Sequence, residues 1–216
     1  MSEPLRRRYR AVIFDMDGLL LDTEVLWQRA EEELFAAHGA VFSHEDKMQV
    51  IGTSFEHTAD FFAERLGEPV ERGAELVDEM IEMMHAALLR DVASRPGAME
   101  LVARLRGRVA LGLASNSPRR LVDAALRTTG MLDCFEAIVT ADDVAHAKPA
   151  PDLYLLACER LGVAPADALA LEDSASGVAA AKAAGLTCIA VPQYAETDVS
   201  AADRVIDSLE ELLGEA

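Results

Sequence analysis

Apolar residues along this chain follow two rhythms: short unbroken runs, and longer stretches in which they recur every three or four residues. The first unbroken run is Ala-Val-Ile-Phe at 11–14. Continuous apolar character without alternation is the mark of a strand buried on both faces, as in a parallel sheet covered by helices. After Glu24 the rhythm changes. Leu26, Trp27, Ala30, Leu34 and Ala37 lie three or four apart opposite an acidic face at 31–33, which predicts a helix stopped by Gly39. Further helices are predicted over 43–51, 54–66 and 70–89, the last with Met80, Met83 and Met84 as core filler. No strand pattern interrupts 24–91.

From Arg95-Pro96-Gly97 onward the two rhythms alternate. Helices are expected at 98–105, 118–129, 151–161 and 175–184, strands at 109–114, 137–139, 168–171 and 187–191, and a last helix at 209–213. Alternating strands and helices build an α/β, doubly wound and mostly parallel sheet. About 70 helical residues separate the first strand from the second, too many for an ordinary crossover. Residues 24–93 therefore read as an inserted α-helical module, with 1–23 and 94–216 forming one discontinuous core.

Charge narrows the partners. Lys plus Arg total 20 against 38 Asp plus Glu, a formal charge of −18, so a nucleic acid or an anionic membrane is repelled overall and bound phosphate must be met by local design. Cys134, Cys158 and Cys188 are odd in number and widely spaced, which suits reduced thiols better than a disulfide framework. The basic start at 6–10 lacks the apolar core of a signal peptide, and no run approaches the roughly 20 apolar residues of a membrane span. The expected setting is cytoplasmic, as a monomer or weak dimer.

Candidate chemistry gathers at predicted strand ends. Asp15 and Asp17 follow the first strand; period-two alternation aims both to one side, while Met16 points away and Gly18 lets the chain turn. Two like charges in one small volume call for a cation or a shared proton, and the carboxyl ends of strands are where open α/β sheets bind ligands. A solvated turn would explain the same residues, so the distant segments decide. In GLASNSP, Ser115 and Asn116 end the second strand where a helix begins, an anion cradle to which Ser115 adds a hydroxyl; Ser117 and Pro118 read as the helix cap and first turn. Lys148, stiffened by Pro149 and Pro151, offers a point charge for phosphate, though alone it reads as a surface lysine. Glu172 and Asp173 in LEDSASG place two more acids at a strand end, an oxygen-rich set suited to Mg2+.

Taken together, DMDG with its LLLDTE tail, the Ser115 strand end, KPAPD and LEDSASG resemble, in order and spacing, the four motifs of the haloacid dehalogenase superfamily of phosphotransferases. The likeness covers essentially the whole chain. It implies a Rossmann-like core with a helical cap inserted after the first motif. It also implies that Asp15 is a nucleophile forming an aspartyl-phosphate and Asp17 a general acid and base. Ser115, the Asn116 backbone and Lys148 would hold the phosphoryl group. Mg2+ would be held by Asp15, the Asp17 carbonyl and Asp173, with Glu172 directly or through water. The dehalogenating and phosphonate-cleaving branches lack an acid at the position of Asp17, so its presence argues for phosphate esters.

Within that superfamily the chain resembles sugar-phosphate phosphatases and β-phosphoglucomutase, which share these motifs and the cap type. The mutases carry a His ten residues after the second motif Asp and an Arg near the position of Phe55, whereas this chain has Trp27 and Phe55 there. A phosphatase of small phosphomonoesters, sugar phosphates above all, is the expectation; a mutase and an inactive phospho-ligand-binding protein are the alternatives. The TEVLWQRAE run resembles members that hydrolyse hexose phosphates. Trp27, Gly52, Thr53 and Phe55 are the expected substrate contacts from the cap, with hinges near 22–24 and 93–96.

Overall fold

The computed structural model describes residues 5–50 and 53–216. A four-residue helix α1 (Leu5–Arg8) precedes β1 (Ala11–Phe14), which the sequence pattern places at the same residues. Then follow α2 (Glu24–Ala37), α3 (His44–Val50), α4 (Phe55–Leu66) and α5 (Gly73–Leu88). The alternating half comprises α6 (Ala98–Leu105), β2 (Ala110–Ser115), α7 (Arg119–Thr128), β3 (Ala137–Thr140), α8 (Asp152–Leu161), β4 (Ala168–Glu172), α9 (Ala175–Ala183), β5 (Thr187–Ala190) and β6 (Arg204–Val205).

Among the described residues six strands form one sheet in the order β3-β2-β1-β4-β5-β6, every neighbouring pair parallel. The expected doubly wound α/β fold is present. Chain order runs outward from β1 in one direction through β2 and β3, then in the other through β4 to β6, so a topological switch point lies beside β1. Register decides what meets there. Phe14 of β1 pairs with Leu113 of β2 and Leu171 of β4, so the residues that follow, from Asp15, Ala114 and Glu172, emerge at one edge. All four residues of β1 are fully buried, as a central strand covered on both faces requires.

Three details differ from the sequence pattern. The expected last helix is a 3-10 turn, Leu209–Leu212. Strand β6 is too short to show a period, and the pattern missed it, as it missed α1. The expected helix over 70–89 is broken: a 3-10 turn, Val70–Arg72, precedes α5, and Gly73 sits where a Cβ would overlap the Ala59 carbonyl of α4. The three cysteines are free, Cys158 and Cys188 buried and Cys134 half-buried. No helix among the described residues is long and apolar enough to cross a membrane.

The chain folds as two compact units, Met1–Asp22 with Val92–Ala216, and Thr23–Asp91. The second has a core of its own. Phe35, Phe42 and Phe62 meet edge to face at ring separations of 4.9, 5.3 and 6.3 Å, the geometry aromatic quadrupoles favour. Met80 and Met84 are buried in the same unit. Helix α3 opens on a reciprocal cap, Ser43 Oγ accepting from Asp46 N–H and Asp46 Oδ2 accepting from Ser43 N–H. Lys47 then ties α3 to α2 by donating to Glu24 at 2.8 Å and Glu31 at 2.9 Å. Phe62→Ala should cost about 3–5 kcal/mol of stability through the cavity it leaves. The fluorescence of Trp27, the one tryptophan and a member of this unit, followed through a denaturant titration, measures it; an unmoved midpoint would show that the aromatic cluster is not what holds the unit together.

Candidate active site

Lys148 occupies the centre of the strand-end site. Its ammonium group has three protons and donates all three: to Asp15 Oδ1 at 2.6 Å, to the Ala114 carbonyl at 2.8 Å and to Glu172 Oε1 at 2.5 Å. Its side chain is 3% exposed, which rules out an ordinary surface lysine. The loop that carries it is held by a two-way clamp, Asn116 Nδ2 donating to the Lys148 carbonyl and Lys148 N–H donating to Asn116 Oδ1. The ring of Tyr154, on α8, lies 5.2 Å from Nζ and adds a cation–π contact.

Glu172 is saturated. Oε1 accepts from Lys148 and from the Tyr154 hydroxyl at 2.6 Å; Oε2 accepts from Asp173 N–H at 3.2 Å and the Ser174 hydroxyl at 3.3 Å. Helix α9 starts against it, and only glycine fits at 177, because a Cβ there would overlap the Glu172 carboxylate. Ser174 caps that helix by accepting from Gly177 N–H. Asp173 is turned instead toward the first motif: Gly18, at φ +82°, approaches so near that a Cβ would overlap Asp173 Oδ2.

Asp17 is held by hydroxyls of the second motif. Its Oδ2 accepts from the Ser117 hydroxyl at 2.8 Å and the Ser115 hydroxyl at 3.1 Å, and Ser115 Oγ in turn accepts from Ser117 N–H. Ser117 thus departs from the sequence expectation, for it does not cap the following helix: α7 starts at Arg119 with Pro118 in the cap position, and the Arg119 N–H is taken by Asp142. Sequence reasoning missed Ser117 because serine before proline at a helix start is explained by capping, and only the fold brings it to Asp17.

Asp15, Asp17, Ser115, Asn116, Lys148, Glu172 and Asp173 therefore share one edge. Trp27, Thr53 and Phe55 belong to the unit Thr23–Asp91, where the Trp27 and Phe55 rings lie 6.1 Å apart and the Thr53 hydroxyl donates to the Val50 carbonyl. Gly52 lies outside the described residues.

The electrostatics fit a hard cation. Oxygens of Asp15, Glu172 and Asp173 lie within 4.8 Å of one another, and Lys148 is the ammonium placed among them. Burial, aided by Glu172, Asp173 and Asp17, pushes Asp15 well above the usual carboxylate range despite Lys148. Burial and then Glu172 push Asp173 up to about 8. Burial alone would lower Lys148, but Asp15 and Glu172 outweigh it and hold it above its ordinary value. The set is short of positive charge, and an all-carboxylate donor set suits a hard divalent ion.

The fold and this site place a buried lysine among carboxylates at the carboxyl edge of a Rossmann-like sheet, where such folds bind ligands. Residues 9–185 match the haloacid dehalogenase-like hydrolase family, and the chain belongs to it. It is 35% identical over 194 residues to hexitol phosphatase B of Escherichia coli, covering 89% of this chain and 86% of that protein. With fructose-1-phosphate phosphatase YqaB of the same species it shares 33% over 184 residues, 85% of this chain and 97% of that one. The crystal structure of CbbY from Rhodobacter sphaeroides in complex with phosphate superposes with a TM-score of 0.84 at 34% identity, covering 94% of this chain and 96% of that one.

A pH dependence follows from Asp173. A carboxyl raised from 3.8 to about 8 keeps its proton in the folded chain after the unfolded chain has lost it, so folding stability declines as pH rises between those values. Without metal, the melting temperature should fall from pH 5 to pH 8, and fall less in Asp173→Asn. Added Mg2+ should raise it more at pH 8 than at pH 5. Parallel curves for the two proteins would overturn the assignment of that charge to Asp173.

Proposed function

We propose that this chain is a Mg2+-dependent phosphatase of small phosphomonoesters, sugar phosphates above all, that works through an aspartyl-phosphate on Asp15. One observation carries the reading: a buried lysine joins Asp15 to Glu172 while a second acid, Asp17, is held two residues away by hydroxyl donors. Binding an anion needs the lysine and the cradle; it does not need the acid at 17. That acid separates turnover from mere binding and disfavours an inactive phospho-ligand-binding protein.

A carboxylate oxygen of Asp15 attacks phosphorus as the ester P–O bond breaks, and Asp17 gives its proton to the departing oxygen. Asp17, now a carboxylate, takes a proton from water as that water attacks the aspartyl-phosphate. The new P–O bond forms as the bond to Asp15 breaks, and phosphate leaves with both acids restored. One acid thus serves both halves. Lys148, the Ser115 hydroxyl and the Asn116 N–H hold the phosphoryl oxygens as charge redistributes. When bound, Mg2+ would be held by Asp15, Asp173 and the Asp17 carbonyl, with Glu172 directly or through water, and would neutralise the charge of these acids and of the phosphoryl group.

The names of hexitol phosphatase B and fructose-1-phosphate phosphatase YqaB support sugar phosphates as the substrate class. Residues 24–93 act as the cap in this reading, with Trp27, Thr53 and Phe55 selecting the part of the substrate that does not react. A mutase must shield its aspartyl-phosphate from water until a sugar hydroxyl arrives, and Trp27 stands where the mutase pattern has His.

Phosphate release from a panel of phosphorylated sugars, nucleotides and small acids should require Mg2+ and vanish in Asp15→Asn. Asp17→Asn should keep affinity for phosphate and lose about 10²-fold or more of turnover; unchanged turnover would refute its role. With glucose 1-phosphate, free phosphate should accumulate; accumulation of glucose 6-phosphate instead would identify a mutase.

A further inference from the structure

We infer that Ser117 is a positioning residue for Asp17, acting while a phosphate ester is bound; the inference rests on the phosphatase reading above. Protons are the limiting quantity. In the structure Ser115 and Ser117 both donate to Asp17 Oδ2, at 3.1 and 2.8 Å. A hydroxyl carries one proton. Once Ser115 turns its proton to a phosphoryl oxygen, it no longer donates to Asp17, and its remaining link in this cluster is the Ser117 N–H that it accepts at 3.0 Å. Ser117 still donates at that stage, and its hydroxyl helps to keep the Asp17 carboxylate in its rotamer when its proton must move.

The local structure supports this division. Ser117 is 6% exposed and Ser115 fully buried, so neither hydroxyl is competed for by bulk solvent. The backbone of Ser117 is fixed by that N–H bond to Ser115 and by Pro118, whose ring limits the preceding residue to extended conformations. The rigidity serves aim. The Ser117 hydroxyl, 2.8 Å from Oδ2, pins one oxygen of the carboxylate and so fixes the orientation of the whole group. Catalytic groups misplaced by as little as about 1 Å lose rate steeply.

The test compares Ser117→Ala, Ser117→Cys and Ser117→Thr in the full chain with Mg2+, using the sugar phosphate ranked first by the panel and 4-nitrophenyl phosphate. Ala and Cys should lower kcat on the sugar phosphate about 10- to 100-fold with KM changed less than about threefold, and Thr, which keeps the hydroxyl, should restore most of it. In single-turnover formation of the phosphoenzyme, the loss should be smaller with 4-nitrophenyl phosphate, whose leaving group needs little protonation. The same loss with both substrates, or a kcat within about twofold of the unaltered chain in Ala and Cys, would overturn the role of Ser117. Failure of the phosphatase reading looks different: the unaltered chain would release no phosphate, or Asp17→Asn would match it. Circular dichroism and melting temperature verify that each variant is folded; should Ala not fold, the nearly isosteric Cys carries the comparison.

Discussion

The contact on which the site depends is the buried ion-pair system of Lys148 with Asp15 and Glu172. An ammonium enclosed by protein is destabilising unless every proton finds an acceptor, and here all three do. Removing one partner of a buried pair leaves the other charge uncompensated, at a cost of about 3–5 kcal/mol. The rest of the edge is arranged around that requirement. Asn116 fixes the loop that brings Lys148 in, Tyr154 donates to the carboxylate that Lys148 meets, and Gly177 leaves room for that carboxylate. Such an arrangement favours precision over stability: the lysine is fixed against Asp15, where the proposed reaction puts the phosphoryl group.

That aim is a product of sheet register. Because β1 pairs in parallel with β2 and β4, equal positions along three strands end at the same edge. Residues 15, 114 and 172, far apart in sequence, become neighbours without any special contact having to be built. The sheet solves the long-range problem and short loops solve the local one, which is why each motif begins at a strand end. The proposed mechanism, in which a single acid serves both attack and hydrolysis, draws on this proximity, since Asp15 and Asp17 lie at one strand end.

Much of this was legible in the chain itself. Unbroken apolar runs marked β1 and β4 within a residue, because a strand buried on both faces has no polar positions to blur it. The 3.6-residue rhythm found the helices of 24–91 for the complementary reason, their exposed faces being strongly polar. What stayed hidden depended on tertiary contacts. The break before α5 follows from the close approach of Ala59 to Gly73, and β6 exists only because β5 offers it an edge. Lys148 taken alone read as a surface residue, because nothing local records that three acceptors enclose it, and only the four motifs together assigned it to the phosphoryl group. Ser117 read as a cap because proline follows it, and its true partner lies 100 residues away.

Glu172 and Asp173 show how neighbouring residues of like charge take different parts. Successive side chains at a strand end turn to opposite sides. Glu172, the last residue of β4, turns inward and is satisfied by four donors, so its charge is committed to holding Lys148. Asp173 turns toward Gly18, and it is Asp173 that burial and the adjacent Glu172 push up to about 8. A carboxylate already matched by four hydrogen bonds gains little from a cation, whereas one held protonated by its surroundings gains a great deal. Of the two, then, Asp173 is the residue whose charge a divalent ion would release, while Glu172, committed first to the lysine, would meet the ion through water sooner than directly.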